Sequence, residues 1–183
     1  MKQITLVLLA TCTVAVFSCK KSSSSSTSIV GKWKMTSVSG KLIYGNYSSY
    51  DSTNYSYKSS DSIFTRVDFS TDPYGFDSTN FVISMNNWSF NADGTYSINE
   101  IYKEGTYPLI TDNVSGVWQY LSNTSANDAV LLQGPTAALL PGGANSSYTF
   151  KVNGNTLTLT EVYAQRNTSN LQATDIVVTF SKM

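Results

Sequence analysis

Residues 148–160 read Tyr-Thr-Phe-Lys-Val-Asn-Gly-Asn-Thr-Leu-Thr-Leu-Thr. Tyr148, Phe150 and Val152 alternate with Thr149 and Lys151, so one face is apolar and the other polar, which is the period of a half-buried strand. Leu157 and Leu159 alternate in the same way with Thr156, Thr158 and Thr160. Asn153-Gly154 stands between the two runs, a strong hairpin signal because both residues tolerate positive φ. The stretch therefore predicts a β-hairpin.

The same chemistry fills most of the chain between Ile29 and Met183. Phe81–Met85 and Trp88–Phe90 lead into Asn91-Ala92-Asp93-Gly94, with Gly94 supplying the left-handed turn residue, and Thr95–Ile98 returns towards Tyr102. Ile176, Val178 and Phe180 mark a last strand. Further strands are expected at Gly31–Ser39, Leu42–Tyr47, Ile63–Phe69, Thr106–Ile110, Gly116–Ser122 and Ala129–Gln133. Nine to eleven short, regularly spaced strands with few helix formers predict an all-β barrel or sandwich. Consecutive hairpins favour an antiparallel up-and-down barrel of about 8–10 strands. Two segments do not read as strand. Tyr44–Asp61 is rich in Tyr, Ser and Asn, and Gly134–Asn145 is a Pro/Gly/Ala/Leu loop in which Leu139-Leu140 suggests a helical turn or an apolar flap.

The 183 residues carry 12 basic and 12 acidic side chains and no histidine. A chain of zero net charge offers no field for nucleic acid. Without histidine, Ser-His-Asp, Cys-His and His-based zinc chemistry are excluded. No catalytic constellation, metal site or cofactor is expected. Glu100 and Glu104 fall on one face of a strand but more than ~10 Å apart along it, which does not suit a carboxylate-pair hydrolase. Asp72 and Asp77 flank a turn without Asp-x-Asp spacing, so turn chemistry is preferred to calcium ligation.

At the N-terminus, Met1-Lys2-Gln3 precedes fourteen small or apolar residues, Ile4–Phe17, too short to span a bilayer and typical of a signal peptide. Val16-Phe17-Ser18-Cys19 resembles the lipobox of bacterial lipoproteins. The resemblance implies that Cys19 is lipidated and becomes the mature N-terminus on the outer membrane, with the membrane face left open. Cys12 lies within the signal core, so no disulfide is expected. The serine run Ser22–Ser26 has no apolar surface to bury and is expected to act as a tether. The expected organisation is a signal peptide over residues 1–18, a lipidated Cys19 with linker to residue 28, and one domain over 29–183.

Gly31-Lys32-Trp33 opens that domain and Gly116-Val117-Trp118 recurs within it. With Trp88-x-Phe90-x-x-Asp93-Gly94-Thr95-Tyr96 and Leu157-Thr158-Leu159-Thr160, this ordered set is similar to the lipocalin-like domains of bacterial lipoproteins. The resemblance implies that Trp33 closes one barrel end. It also implies a small hydrophobic or amphipathic ligand, with Trp118, Phe90 and Tyr96 as lining or core residues. Tyr44, Tyr47, Tyr50, Tyr55 and Tyr57 form a cluster whose rigid rings suit contact with a ligand, protein or glycan. The expected function is therefore non-catalytic binding by a membrane-anchored, preferentially monomeric protein. The alternatives are a protein- or glycan-interaction module using residues 44–57 and a structural envelope subunit. Asp51-Ser52-Thr53, Asp61-Ser62-Ile63 and Asp77-Ser78-Thr79 are similar to O-glycosylation triplets of exported proteins in some Gram-negative bacteria.

Overall fold

A computed structural model describes residues 28–45, 50–71, 75–122, 128–135, 139, 145–166 and 171–183. The expected signal peptide and nearly all of the tether lie outside them. Ten antiparallel strands follow in order: β1 (Gly31–Gly45), β2 (Tyr50–Lys58), β3 (Ile63–Ser70), β4 (Phe76–Phe90), β5 (Thr95–Glu104), β6 (Ile110–Ser122), β7 (Ala129–Gln133), β8 (Asn145–Asn153), β9 (Thr156–Arg166) and β10 (Leu171–Lys182). Each pairs with its neighbour in sequence, and β10 returns to β1, so the sheet closes into a ring. No helix occurs among the described residues.

The 148–160 hairpin forms with its predicted faces. Phe150 lies opposite Leu159 and Val152 opposite Leu157. Its turn is one residue later than expected. Asn153 pairs with Thr156, leaving Gly154-Asn155 at the centre, and Gly154 carries the positive φ of 58°. Positive φ at the first central position only is the pattern of a Gly-x type II′ turn, whose twist matches the flanking strands. In the 91–94 turn, the Thr95 hydroxyl and backbone N–H both donate to Asp93 Oδ1 and hold that carboxyl below its ordinary range.

Three sequence expectations are corrected. Gly31–Ser39 and Leu42–Tyr47 are not two strands, because β1 runs unbroken through Gly40. A Cβ at Gly40 would lie 2.0 Å from the Asp175 carbonyl oxygen, so glycine here serves close approach of β10 rather than a turn. Thr106–Leu109 is turn and loop, and β6 begins only at Ile110. The Tyr-rich stretch is strand over most of its described residues. Tyr44 and Gly45 end β1, and Tyr50–Lys58 is a full strand paired on both sides. Its few aliphatics are offset by cross-strand rings, with Phe64 packed 6.1 Å from Tyr55 and 6.4 Å from Tyr57.

Register divides the ring into two storeys. At the base, where β1 begins, Gly31–Lys34 pairs directly with Asn87–Phe90 of β4. Eight strands close the ring there. Higher up, the β2–β3 hairpin is inserted between β1 and β4, from the Ser37–Lys58 pair upward, so the upper part has ten. The hairpin is anchored at its lower turn by backbone bonds from Ser59 N–H to Thr36 and from Ile83 N–H to Ser62.

The lower interior is filled. Trp33, Met35, Trp88, Phe90, Ile98, Leu157, Leu159, Val178 and Phe180 are all buried. Trp33 is fixed at the base: its indole N–H donates to the Ile29 carbonyl at 2.8 Å, and Lys182 Nζ lies 5.9 Å from the ring centroid. The upper interior is polar. Direct cross-strand partners share a face, and the register places Asp51, Asp68, Asp77, Glu100, Glu104, Asp112 and Glu161 on the inward one. Lys34, Lys41, Lys58, Lys103 and Lys151 alternate out to solvent.

Candidate functional site

The four aromatic residues expected to line or fill the ring do not form one site. Trp33, Phe90, Tyr96 and Trp118 are buried in the packed lower half. Phe90 links two of them, lying 6.4 Å from Tyr96 and 6.1 Å edge-on from Trp118. The Trp118 indole N–H donates to the Asn91 carbonyl at 3.1 Å, tying β6 to the 91–94 turn. These residues support the ring.

Tyr44 is placed elsewhere. It lies at the top of β1, half-exposed, and lines a cleft of about 280 Å³ with Asp51, Ser52, Asp68, Phe69, Ser70, Gly75, Phe76 and Asp77. The cleft sits where the tips of β1 to β4 meet, at the end opposite the entry of the chain. Tyr47 and Cys19 lie outside the described residues.

Register explains how the cleft is assembled. Tyr44 is opposite Asp51, Asp51 opposite Ser70, and Asp68 opposite Asp77, so these five share the inward face. Phe69 is opposite Phe76 on the other face, and Tyr50 packs against Phe69 at 6.3 Å. Phe76 is 69% exposed, far more than an apolar ring of the core. Arg66 Nε donates to Asp68 Oδ2 at 2.8 Å, and the Thr53 hydroxyl donates to Asp68 Oδ1 at 2.5 Å. Asp77 Oδ1 accepts from the Ser78 backbone N–H. Burial pushes the Tyr55 phenol above its ordinary value, and the nearby Arg66 guanidinium opposes the rise.

Sequence reasoning found Tyr44 but missed Asp51, Asp68, Phe69, Phe76 and Asp77 as a group. They come from three strands, and only cross-strand register brings them together. The one legible signal was the aromatic run flanking Asp51.

A second polar cluster lies inside the ring. Glu100 is 1% exposed. Its Oε1 accepts from Asn86 Nδ2 at 2.7 Å and its Oε2 from the Leu139 backbone N–H at 3.3 Å. Asn86 Oδ1 accepts from the Trp88 indole at 2.7 Å. This chain satisfies buried polar atoms and pins Leu139 of the β7–β8 connection, itself buried, into the interior. Leu139 is thus buried at a turn position, and Leu140 lies outside the described residues.

Glu161 on β9 is different. Burial pushes its carboxyl above the ordinary range, partly offset by a hydrogen bond from Ser146, and Oε2 is buried without a partner. Burial likewise pushes Tyr148 well up, with the Glu161 charge adding to the effect. A carboxyl whose folded pKa is raised binds its proton more tightly in the folded state. Stability is then lost as pH rises from the unfolded value, ~4.3 for Glu, through the folded one. Glu161→Gln is therefore expected to melt above the parent at pH 8 and level with it below pH 4. A parent that melts level with or above Glu161→Gln at pH 8 contradicts burial as the cause.

No group of three or more His, Cys, Asp or Glu among the described residues could hold a metal ion. The three Asp-Ser triplets are placed unequally. Ser52 is 3% exposed, whereas Ser62 sits on an exposed turn and Ser78 on an exposed strand face. No known protein family, curated protein or solved structure matches the chain.

Proposed function

We propose that the protein is a non-catalytic, lipid-anchored envelope protein that holds a small amphipathic ligand in the cleft at the tips of β1 to β4. The observation that carries this reading is the cleft's lining, with carboxylates and a hydroxyl on the inward face and exposed rings at its edge. Sites of this kind combine apolar contact area with a few convergent polar groups.

The lipocalin-like assignment remains part of the proposal, but the ligand's place shifts. The lower interior is occupied by Trp33, Trp88, Phe90 and Phe180, which leaves a central hydrophobic ligand no room at that level. A glycan is the second reading, favoured by Tyr44, Phe69 and Phe76, whose faces suit sugar rings. Attachment through Cys19 fits the placement. The chain enters at Gly31, at the base, so a tether there turns the cleft away from the membrane.

Two experiments bear on this. Cys19→Ala is expected to move the protein from the membrane pellet to the soluble fraction; an unchanged distribution contradicts anchoring by that residue. Native mass spectrometry of protein extracted from its own host is expected to show a co-purified small molecule.

A further inference from the structure

The cleft's surroundings carry a charge pattern that the fold alone does not require. Asp68 and Asp77 are direct cross-strand partners on the inward face. Like charges in that arrangement are destabilising. One further inward pair, Glu100 and Asp112, repeats the arrangement, whereas on the outer face Lys41 lies opposite Asp175. Asp51 adds a third carboxylate to the cleft wall. Among the described residues Arg66, fixed on Asp68, is the cation paired there, so three carboxylates face one guanidinium. The lysines of the neighbouring strands, Lys41, Lys58 and Lys103, are all turned outward. At the cleft this conflict between local charge and global fold adjoins a cavity, where a ligand of opposite sign can relieve it.

The geometry narrows what relieves the conflict. The carboxylates are not grouped closely enough to chelate a metal ion; they are spread around about 280 Å³. That space suits an organic cation, whose ammonium or guanidinium donors make charge-assisted hydrogen bonds to carboxylates. Tyr44 within the cleft and the exposed Phe69–Phe76 pair at its edge provide rings for an apolar stem and for cation–π contact.

We propose that the cleft recognises an organic cation, a primary ammonium or guanidinium carried on an apolar or aromatic stem, with Asp51 and Asp77 as the anionic contacts and Tyr44, Phe69 and Phe76 holding the stem. The inference rests on the cleft being the ligand site and adds the sign of the ligand's charge. The ligand is a small amine or guanidine, or a lysine or arginine side chain of a peptide; the chemistry recognised is the same.

The test is isothermal titration of the full chain in zwitterionic detergent with three matched probes, 2-phenylethylamine, 2-phenylethanol and phenylacetate. The amine is expected to bind at least tenfold tighter than the alcohol, to weaken as salt is raised, and to lose its preference in Asp51→Asn/Asp77→Asn. Equal binding of amine and alcohol, a preference for phenylacetate, or a preference surviving in the double variant overturns the cationic assignment while leaving the cleft as a ligand site. Failure of all three probes to bind overturns both. Repeating the titration with acetyl-Gly-Arg-Gly-amide separates the sources: binding within threefold of the amine identifies a peptide side chain, and weaker binding a free amine.

Discussion

Trp88→Ala is expected to cost about 3–5 kcal/mol, the range for removing a buried aromatic ring. For a domain of this size that corresponds to a fall in Tm on the order of 10 °C. Trp88 is 1% exposed and packs 5.0 Å from Phe180 and 6.0 Å from Phe90, ring to ring. It stands opposite Trp33 in the short seam where β1 and β4 close the base. Removing it leaves a void at the only place where those two strands meet, and leaves Asn86 Oδ1 without the indole donor. Trp88→Phe separates the two effects. It keeps most of the ring and loses the N–H, so its cost is expected to fall to about 1–3 kcal/mol, that of one unsatisfied buried acceptor. Chemical denaturation of both variants checks this. Equal losses would mean that the hydrogen bond, not the packing, closes the seam.

Glu100→Ala is expected to be nearly as damaging, by another route. A buried carboxylate that accepts from Asn86 and from the Leu139 backbone leaves two buried donors stranded when removed, at about 1–3 kcal/mol each. Glu100→Gln is expected to fall between parent and Ala, because a carboxamide presents one acceptor oxygen and one NH₂, and the latter faces a donor. Asn86→Leu should be partly redundant with Glu100→Ala, so the double variant costs less than the two added together. A local readout distinguishes a pinning role from general destabilisation. The Leu139 amide is expected to lose its exchange protection in Glu100→Ala, while the amides of the β8–β9 hairpin change only with global stability. If Leu139 and that hairpin shift together, Glu100 stabilises the ring as a whole and does not hold the β7–β8 connection.

The parts of the fold legible in sequence were those where one strand states its own faces. Tyr148–Thr160 and Trp88–Tyr96 alternate cleanly, and the ladders observed at Phe150–Leu159 and Trp88–Ile98 follow from that alternation. The β2 strand was not legible, because Tyr50–Lys58 supplies almost no aliphatic residues of its own. Its inward positions, Thr53, Tyr55 and Tyr57, are buried by β1 and β3 rather than by a local pattern. Tertiary pairing overrode a turn-rich composition. Gly40 misled for a related reason: a glycine in a strand reads as punctuation, but this one serves close approach of another strand's backbone. Of the candidate site, Tyr44 was visible as part of an aromatic run. Asp68 and Phe76 are ordinary in sequence and Asp77 reads only as a turn or triplet residue; as a site they acquire meaning from the register that sets Asp68 against Asp77. The inserted hairpin therefore has two consequences. It widens the ring from eight strands to ten, and it builds the cleft from its own tips.

Native mass spectrometry of host-extracted protein, in parallel with Tyr44→Ala/Phe76→Ala, decides whether ligand is held at those tips or within the ring. Both substitutions fall on half-exposed or exposed rings, where the cost to folding is small. The parent is expected to carry a non-protein adduct that is lost from the double variant while the melting temperature stays within a few degrees. An adduct retained by that variant would place the ligand elsewhere in the molecule, and a parent free of any adduct would contradict ligand holding by the cleft.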